Sequence, residues 1–377
     1  MSKLPSTKSS DTSLIVSTEV NSLHTQISEY IDQARKTVQR AIDQEMLKAY
    51  WKIGKIIVVA EQKGTSRAKY GENLIKELSD KLVNTHGKGF SETNIKYMRQ
   101  FYIEYSVPTL LNQEEKSIRQ TVSDESEIPE FSPNLGWSHY CILMRLKRSD
   151  ARSFYEIEAS RNNWSVRELR RQTSSLLFDR LAKSKDKKGI LELAYQGQEL
   201  NFPKDAIKDP LILEFLSIPE VHQFVENKLE EALITNLQKF LLELGRGFAF
   251  IARQKRITLE NNDYYVDLVF YHVILKCYFI IEIKTTSLSH SDLGQIQFYV
   301  NYFDEEVKSE GDNPTVGLVL CTEKCDTMVR YTLADKAKQI FASTYQFHLP
   351  TISELEKELM REIKEVQHII KENDGNL

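Results

Sequence analysis

Cysteine is scarce in this 377-residue chain, which contains only four. So few thiols exclude a disulfide-stapled scaffold and favour a reducing compartment, which predicts a cytoplasmic protein. Cys321 and Cys325 stand close together, but no second Cys or His pair lies near them, so a structural zinc site is not expected. No window approaches ~18 uncharged apolar residues, which excludes a membrane-spanning helix and predicts no membrane partner.

Two other features are missing. Residues 1–20 have no apolar core and no arginine, so they predict a disordered tail and not a secretory signal or transit peptide. A glycine-rich phosphate loop is absent, and so is an internal repeat, which argues against an ATP-driven enzyme. The length favours two domains over one, and the 41% hydrophobic content is ordinary for folded domains.

Charge is distributed unevenly along the chain. Residues 1–188 contain 31 Lys and Arg against 24 Asp and Glu, a balance of +7, whereas residues 189–377 contain 19 against 30, a balance of −11. A basic half beside a carboxylate-rich half is compatible with a nucleic-acid binder joined to a metal-using catalytic domain. Plain solvated charge gives the same counts, so charge alone does not decide between the two.

The first half has a helical pattern. Apolar residues recur near the 3.6-residue period over about 27–60 and 70–85, and a third helix begins after Ser91, a good N-cap residue. The short turn at residues 86–89 between two helices, with Lys96 and Arg99 on the exposed face, is typical of a helix-turn-helix that contacts nucleic acid. A helical hairpin with solvated lysines would produce the same string.

A second basic helix is expected after Trp164, with Ser165 as its N-cap and Glu168 completing a capping box. Arg167, Arg170 and Arg171 would share one side of it, which is a fair surface for phosphate groups. The alternative is a helix packed through Trp164 with its arginines in water. We predict a disordered tail at 1–20, a helical winged-helix-like nucleic-acid-binding domain at 21–188, and an α/β domain with a C-terminal helix at 189–377.

The second half alternates helix and strand. A helix is expected over about 218–244, then strands at 248–252, 257–260 and 264–270, and buried strands at 277–283 and 315–321 with a helix at 291–303 between them. This order predicts a mixed central sheet flanked by helices.

Charged residues interrupt the most apolar strands. Glu282 and Lys284 follow the run CYFII, and strand alternation puts both on one face, with Ile283 opposite. Asp267 interrupts YYVDLVF, and it converges with Glu282 if the strands are neighbours. Two nearby carboxylates both stay ionised only with a cation between them, and magnesium prefers such oxygen ligands. A buried ion pair with Lys284 is the structural alternative.

The motif Asp267 … Glu282-Ile283-Lys284 resembles the signature of the PD-(D/E)XK, or restriction-endonuclease-like, nuclease superfamily. The flanking strings FLLELGRGFAFIARQ, YYVDLVFYH, CYFIIEIKT, GQIQFYV and DNPTVGLVLC resemble the bacterial YhcG-like family, and so do YGENLIKELSDKL, GFSETNIKYMRQFY, LGWSHY and WSVRELRRQ in the first half. The resemblance covers roughly residues 25–350. It implies a nuclease domain after a helical, winged-helix-like domain.

The resemblance also implies roles for individual residues. Asp267, Glu282 and the Ile283 carbonyl would hold Mg²⁺, with Mn²⁺ as an alternative, and Lys284 would be the catalytic lysine. Gln295 matches a glutamine on the following helix, where Tyr299 lies one turn further along. A glutamate on the helix before the sheet is expected, for which Glu230 is our choice and Glu226 and Glu231 are the alternatives.

Further expectations concern single residues around this motif. Arg253 and Gln254 are expected to contact the phosphate or line the cleft, whereas His139, His272 and His290 are expected to be structural. Val266 stands where many relatives have proline.

The function expected from these residues is metal-dependent hydrolysis of phosphodiester bonds in nucleic acid, with DNA favoured over RNA. The alternative is a DNA- or RNA-binding or partner-recruiting protein on a nuclease-like fold that no longer cuts. A homodimer is compatible with this interpretation, because cutting both strands with one site per chain favours two copies.

Overall fold

The computed structural model describes residues 10–63, 68–106, 128–182, 185, 187–218, 226–260, 262–323 and 339–349. The chain forms two compact units, one of residues 1–147 with 159–163, the other of residues 148–158 with 164–377. Residues 354–372, which contain the predicted C-terminal helix, lie outside the described residues. No helix among the described residues is long and apolar enough to cross a membrane.

The first unit is helical. Its helices are α1 (Ser10–Lys63), α2 (Ala68–His86), α3 (Glu92–Tyr105) and α4 (Trp137–Leu143). Helix α1 begins inside the segment expected to be a flexible tail, since no glycine or proline interrupts the chain between Pro5 and Gly54. The predicted cap of α3 is present, because the Ser91 side chain accepts the Asn94 backbone N–H.

Helix α3 packs closely on α1. A Cβ added at Gly54 of α1 would stand 2.1 Å from the Met98 carbonyl oxygen, so only glycine permits this approach of the two backbones. Trp51 stacks edge-on against Tyr102 with ring centroids 4.9 Å apart. Phe101 adds a further aromatic contact to Phe131, at 4.9 Å. The helix–turn–helix of α2 and α3 is therefore held from one side by the second half of α1.

The second unit combines helices with one sheet. Most of α5 (Ser149–Arg161) belongs to it, and its other elements are α6 (Val166–Ser174), α7 (Leu177–Ala182), α8 (Lys187–Gln196), β1 (Leu211–Ile212), α9 (Glu226–Thr235), α10 (Leu237–Leu244), β2 (Phe248–Leu259), β3 (Asn262–His272), β4 (Cys277–Ile283), α11 (His290–Tyr302), β5 (Val316–Cys321) and β6 (Ile340–Gln346). The predicted cap of α6 is present, with Ser165 accepting the Glu168 N–H. The predicted helix at 218–244 is divided in two at Asn236.

The six strands form one mixed sheet in the order β1-β6-β5-β4-β3-β2. Strands β2, β3 and β4 pair antiparallel, whereas β4, β5, β6 and β1 pair parallel. Helices α9 and α10 cover one face through Leu229, Leu233 and Phe240. Residues of α11, including Tyr299, pack on the other face. The predicted fold class, a helical region followed by a mixed sheet flanked by helices, is confirmed.

A buried charge cluster joins α6 and α7 to the sheet domain. Glu243 on α10 is fully buried, and its carboxylate lies 2.8 Å from Arg180 and 3.2 Å from Arg171. Arg171 also bonds Glu214 at 2.7 Å, and Arg180 donates to the Pro210 carbonyl at 2.7 Å. Because each charge is paired, these residues hold two helices of the basic stretch against the acidic half of the chain.

Candidate active site

The candidate site lies where β3 and β4 separate. Regular pairing of the two strands runs from His272 opposite Cys277 to Leu268 opposite Ile281, and then stops. At the next position the Glu282 side chain accepts the Asp267 backbone N–H at 3.2 Å, and the Asp267 side chain accepts the Ile283 N–H at 2.9 Å. The two carboxylates thus replace backbone partners at the point where the ladder ends, which brings them together as the sequence predicted.

Burial makes this carboxylate pair electrostatically unfavourable. Glu282 is only 1% exposed. Burial and the neighbouring Asp267 carboxylate raise the pKa of Glu282 to about 8. Burial and the Glu230 carboxylate likewise raise the pKa of Asp267. A cation placed between the two groups would remove this penalty, since it favours the ionised form of both.

Lys284 lies beside the pair but contacts another acid. Its Nζ is 3.5 Å from the Glu226 carboxylate at the start of α9. Burial opposes the charged ammonium, yet Glu226, Glu282 and Asp267 outweigh it and raise the pKa of Lys284. The backbone of Lys284 is held at both ends, because its N–H donates to the Leu320 carbonyl and its carbonyl accepts the Tyr345 hydroxyl.

Gln254 joins the helix before the sheet to the carboxylate pair. Its side-chain amide donates to Asp267 at 3.0 Å and also to Glu230 on α9. Arg253 pairs with the same Glu230, which is 2% exposed. Two of the glutamates considered on this helix therefore adjoin the site, because Glu230 bonds Gln254 and Arg253 while Glu226 lies against Lys284.

The backbone of Gln254 is strained. Its φ of 46° lies in the left-handed region, inside a strand. A non-glycine residue held there costs of order 1–3 kcal/mol, and such strain concentrates at functional sites. The sequence predicted Gln254 as a cleft residue, but nothing in it indicates the strain or the double hydrogen bond.

Helix α11 places a glutamine against the site from the other face of the sheet. Gln295 donates to Glu282 at 3.2 Å and to the Tyr299 hydroxyl at 3.1 Å. Tyr299 in turn donates to the Tyr265 carbonyl on β3 at 3.0 Å. This chain of hydrogen bonds fixes the orientation of Gln295, and it starts from a helix capped by Ser289.

The predicted nucleic-acid-binding residues on the helices differ in exposure and in pairing. Arg167 and Arg170 are exposed on α6. Lys96 and Arg99 are each ion-paired, with Glu92 and Glu61 at 2.6 Å.

Arg171 differs from these residues because it is largely buried. Its side chain is 16% exposed and bonds Glu214, Glu243 and the Ile212 carbonyl. This arrangement argues against a phosphate contact by Arg171. Its side chain projects from α6 about 100° from that of Arg170 and therefore points toward the core.

Two of the predicted structural histidines, His272 and His139, have internal partners. His272 is fully buried, and its Nδ1 accepts the Leu275 N–H at 3.1 Å. Burial lowers the pKa of His272 to about 4, so the imidazole is neutral at physiological pH. His139 accepts the Gly136 N–H at 3.2 Å and so closes the first turn of α4.

The donor set suits a hard divalent cation. Among the described residues, no three His, Cys, Asp or Glu side chains are placed to hold one metal ion. Asp267 and Glu282 supply two carboxylates, each oxygen of which accepts one hydrogen bond and retains a second lone pair. Magnesium keeps several waters and needs only one or two protein carboxylates, so the residues present fit it.

A mixed sheet with one buried and one partly buried carboxylate and a lysine where its strands separate matches the motif that the resemblance to the PD-(D/E)XK nucleases implies. Residues 204–364 match the YhcG PDDEXK nuclease domain family, and residues 26–180 match the DUF1016 N-terminal domain family. The two matches lie on either side of the predicted domain boundary near 188, whereas the compact units divide near 147, so that boundary stays a prediction.

The chain belongs to the YhcG family. It is 38% identical over 359 residues to the Escherichia coli (strain K12) protein named "Putative nuclease YhcG", in a match that covers 90% of this chain and 93% of that protein. A crystal structure of a repair endonuclease from Pyrococcus abyssi is 15% identical, and the match covers 35% of this chain and 50% of that one. Its TM-score of 0.24 is too low to bear on fold or function.

Proposed function

We propose that this protein is a metal-dependent phosphodiesterase that cuts nucleic acid, with DNA favoured over RNA. The observation that carries the proposal is the pairing of Asp267 with Glu282 beside Lys284, at the point where two core strands separate. Family membership supports the same interpretation. Accepting two backbone N–H groups does not require two charged side chains, and two adjoining carboxylates are costly where burial disfavours their ionised forms.

Mg²⁺ is the proposed ion, with Mn²⁺ as the alternative. The Asp267 and Glu282 carboxylates and the Ile283 carbonyl would hold it. When bound, such an ion neutralises charge on a phosphodiester and lowers the pKa of a water. The raised pKa of Glu282 supports the need for a cation at this place.

The surrounding residues would orient the substrate and handle protons. The Lys284 ammonium would orient the attacking water or stabilise charge on the phosphate, since it lies next to both carboxylates. Gln295 would hold Glu282 in its metal-facing orientation through its 3.2 Å hydrogen bond. Gln254 and Arg253 would do the same for Asp267 and Glu230, and Arg253 is exposed enough, at 39%, to reach a phosphate.

Nucleic acid would be held by exposed cations. Arg167 and Arg170 have the exposure that phosphate contact needs. Lys96 and Arg99 of the helix-turn-helix would have to exchange their carboxylate partners for phosphates. A homodimer, with one site per strand, remains part of the proposal.

Cleavage of supercoiled plasmid and of single-stranded RNA by the purified chain tests the proposal. We expect nicking of the plasmid with Mg²⁺ or Mn²⁺, its loss with EDTA, and its loss in Asp267→Asn. Cleavage of the RNA but not of the plasmid would identify RNA as the substrate. Binding of either nucleic acid without cleavage under any divalent cation would establish the alternative, a binding protein on a nuclease fold.

A further inference from the structure

Helix α1 carries an apolar stripe that nothing among the described residues covers. Eight large apolar side chains between Val20 and Met46 are 38–74% exposed. Six of them, Leu23, Ile27, Ile31, Val38, Ile42 and Met46, are called here the α1 stripe; Val20 lies in the same sector of the helix and Tyr30 at its Leu23 edge. At about 100° per residue the six fall on one side of the helix, within a sector of ~140°.

The stripe is not an extension of the core of the first unit. Leu47 and Trp51, which are 0% and 2% exposed, bury a different face of α1. Leu47 follows Met46 by one residue, so it points roughly to the side opposite the middle of the stripe. Helix α1 therefore has two apolar faces, of which one packs in its own unit and the other faces solvent over ~36 Å.

The spacing of the stripe reads the same in both directions. The six members are separated by 4, 4, 7, 4 and 4 residues, symmetrically about the point between Ala34 and Arg35, whereas the exposed Val20 and Tyr30 would face Ala49 and Gln39. A two-fold axis at that point would place Leu23 opposite Met46 of a second copy, Ile27 opposite Ile42, and Ile31 opposite Val38. Such self-complementarity is what an isologous two-fold interface requires.

Charge also favours the antiparallel arrangement. Glu45 is the carboxylate that lies within the sector of the stripe, and its side chain is 72% exposed although it pairs with Lys48 at 2.7 Å in the same helix. In a parallel pair in register it would face the Glu45 of the second copy, a like-charge contact. In the antiparallel pair it faces His24, which can donate a hydrogen bond to it.

An ion pair near the midpoint can be shared between copies. Asp32 and Arg35 are 64% and 78% exposed and lie 3.7 Å apart within one chain. They stand on the same flank of the stripe, and a two-fold axis across the helices brings like flanks together. Arg35 of one copy would therefore lie beside Asp32 of the other, about two residues along the axis.

From these observations we infer that the α1 stripe is a dimerisation surface, and that its occupant is the α1 helix of a second copy running antiparallel. Two helices in contact along the whole stripe would bury about 1,000 Å² or more, the area that a specific interface needs. With the seven-residue gap counted as two turns, the stripe averages ~3.8 residues per turn, which is above 3.6, so a straight or right-handed pair is expected. The inference concerns the first unit and does not depend on the proposed nuclease activity.

Sedimentation equilibrium of the full chain over nanomolar to micromolar concentrations tests the surface. We expect a dimer for the parent chain, and a dissociation constant raised by at least ~100-fold in Ile31→Lys, since an unpaired ammonium would be buried at the interface. Gln33→Lys adds the same charge two residues away on the opposite, exposed face and is the matched control. Circular dichroism checks that both variants remain folded.

Cross-linking with a short bismaleimide tests the orientation. Ala34→Cys lies next to the two-fold point and should cross-link two copies, whereas Leu23→Cys should not, because the two introduced thiols would be ~35 Å apart. The parent chain measures background from the native cysteines. A monomeric parent chain at tens of micromolar, or equal dissociation constants for Ile31→Lys and Gln33→Lys, would overturn the inference. So would an efficient Leu23→Cys dimer, or a cross-link from Ala34→Cys to another segment of the same chain.

Discussion

The side-chain amide of Gln254 lies 3.0 Å from the Asp267 carboxylate, while the Gln254 backbone holds a φ of 46°. The same amide donates to Glu230. One strained residue on β2 therefore links the helix before the sheet to the carboxylate that would hold the metal. We attribute the strained backbone to the position that this amide needs in order to contact both carboxylates.

Gln254→Gly should separate stability from activity. Glycine relieves the strain of the positive φ but loses the hydrogen bonds to Asp267 and Glu230, so we expect the two effects to offset and the free energy of unfolding to change by about 1 kcal/mol or less. Cleavage should fall by ~10- to 100-fold, because Asp267 and Glu230 lose a donor worth about 1.5–3 kcal/mol. Urea unfolding and plasmid cleavage measure the two quantities.

Glu260→Gly is the matched control for that variant. Glu260 also has a φ of 46°, at the exposed turn between β2 and β3, far along the hairpin from the carboxylates. We expect glycine there to relieve the strain, to stabilise the fold by about 1 kcal/mol, and to leave cleavage unchanged. Equal activity in both variants would mean that Gln254 is only a strained strand residue.

Asp267→Ala and Lys284→Ala should differ in metal binding. Loss of the carboxylate should weaken Mg²⁺ binding together with cleavage, since the ion loses an oxygen ligand. Loss of the lysine should spare or tighten Mg²⁺ binding, because a nearby positive charge is gone, but should slow cleavage by ~10²-fold or more. Calorimetry and gel assays, with exposed Lys239→Ala as control, make the comparison. If Lys284→Ala cleaves at the rate of the parent chain, Lys284 is only an ion-pair partner of Glu226.

Arg167→Ala/Arg170→Ala should weaken DNA binding and its dependence on salt. Each phosphate contact that is lost should lower the slope of log affinity against log salt by about 1. Lys204→Ala/Lys239→Ala removes the same charge from positions that we do not place at the interface, and should leave the slope unchanged. Fluorescence anisotropy at several salt concentrations measures it. Identical slopes in the two double variants would remove α6 from the proposed interface.

The Glu243 cluster should make stability depend on acid pH. Burial alone would raise the pKa of Glu243, but Arg180, Lys208 and Arg171 hold it at about 2, below its ordinary value of 4.5. A carboxyl whose pKa is depressed in the folded state adds stability above pH ~4.5, and that stability is lost as pH falls toward ~2. We expect a loss of about 3 kcal/mol for this group over that interval.

Arg180→Met tests the origin of that pH dependence. The variant leaves Glu243 with one fewer cation in a fully buried place, so we expect it to unfold about 3–5 kcal/mol more easily at neutral pH. Its loss of stability between about pH 5 and pH 3 should be smaller than that of the parent chain. Urea unfolding at several pH values gives both numbers, and an unchanged pH dependence would assign the acid sensitivity to other carboxylates.

Local sequence was enough to predict much of the fold. The caps at Ser91 and Ser165 depend on the residue and its next few neighbours, so both were predicted and both are present. The strands at 277–283 and 315–321 are continuous apolar runs, which only a sheet covered on both faces accommodates. The convergence of Asp267 with Glu282 followed from strand alternation and the assumption that the two strands pair.

Contacts between distant residues were decided only by the tertiary structure. The sequence places Arg171 among three similar arginines, and only packing shows that Glu214 and Glu243 take it inward while Arg167 and Arg170 stay exposed. Glu226 and Glu230 likewise contact different residues because one turn of α9 lies over Lys284 and the next lies over Gln254. Periodicity gives the face of a helix, but the partner of that face is set by chain segments tens of residues away. The same limit applies to α1, whose two apolar faces look alike in sequence although only one is buried within its own unit.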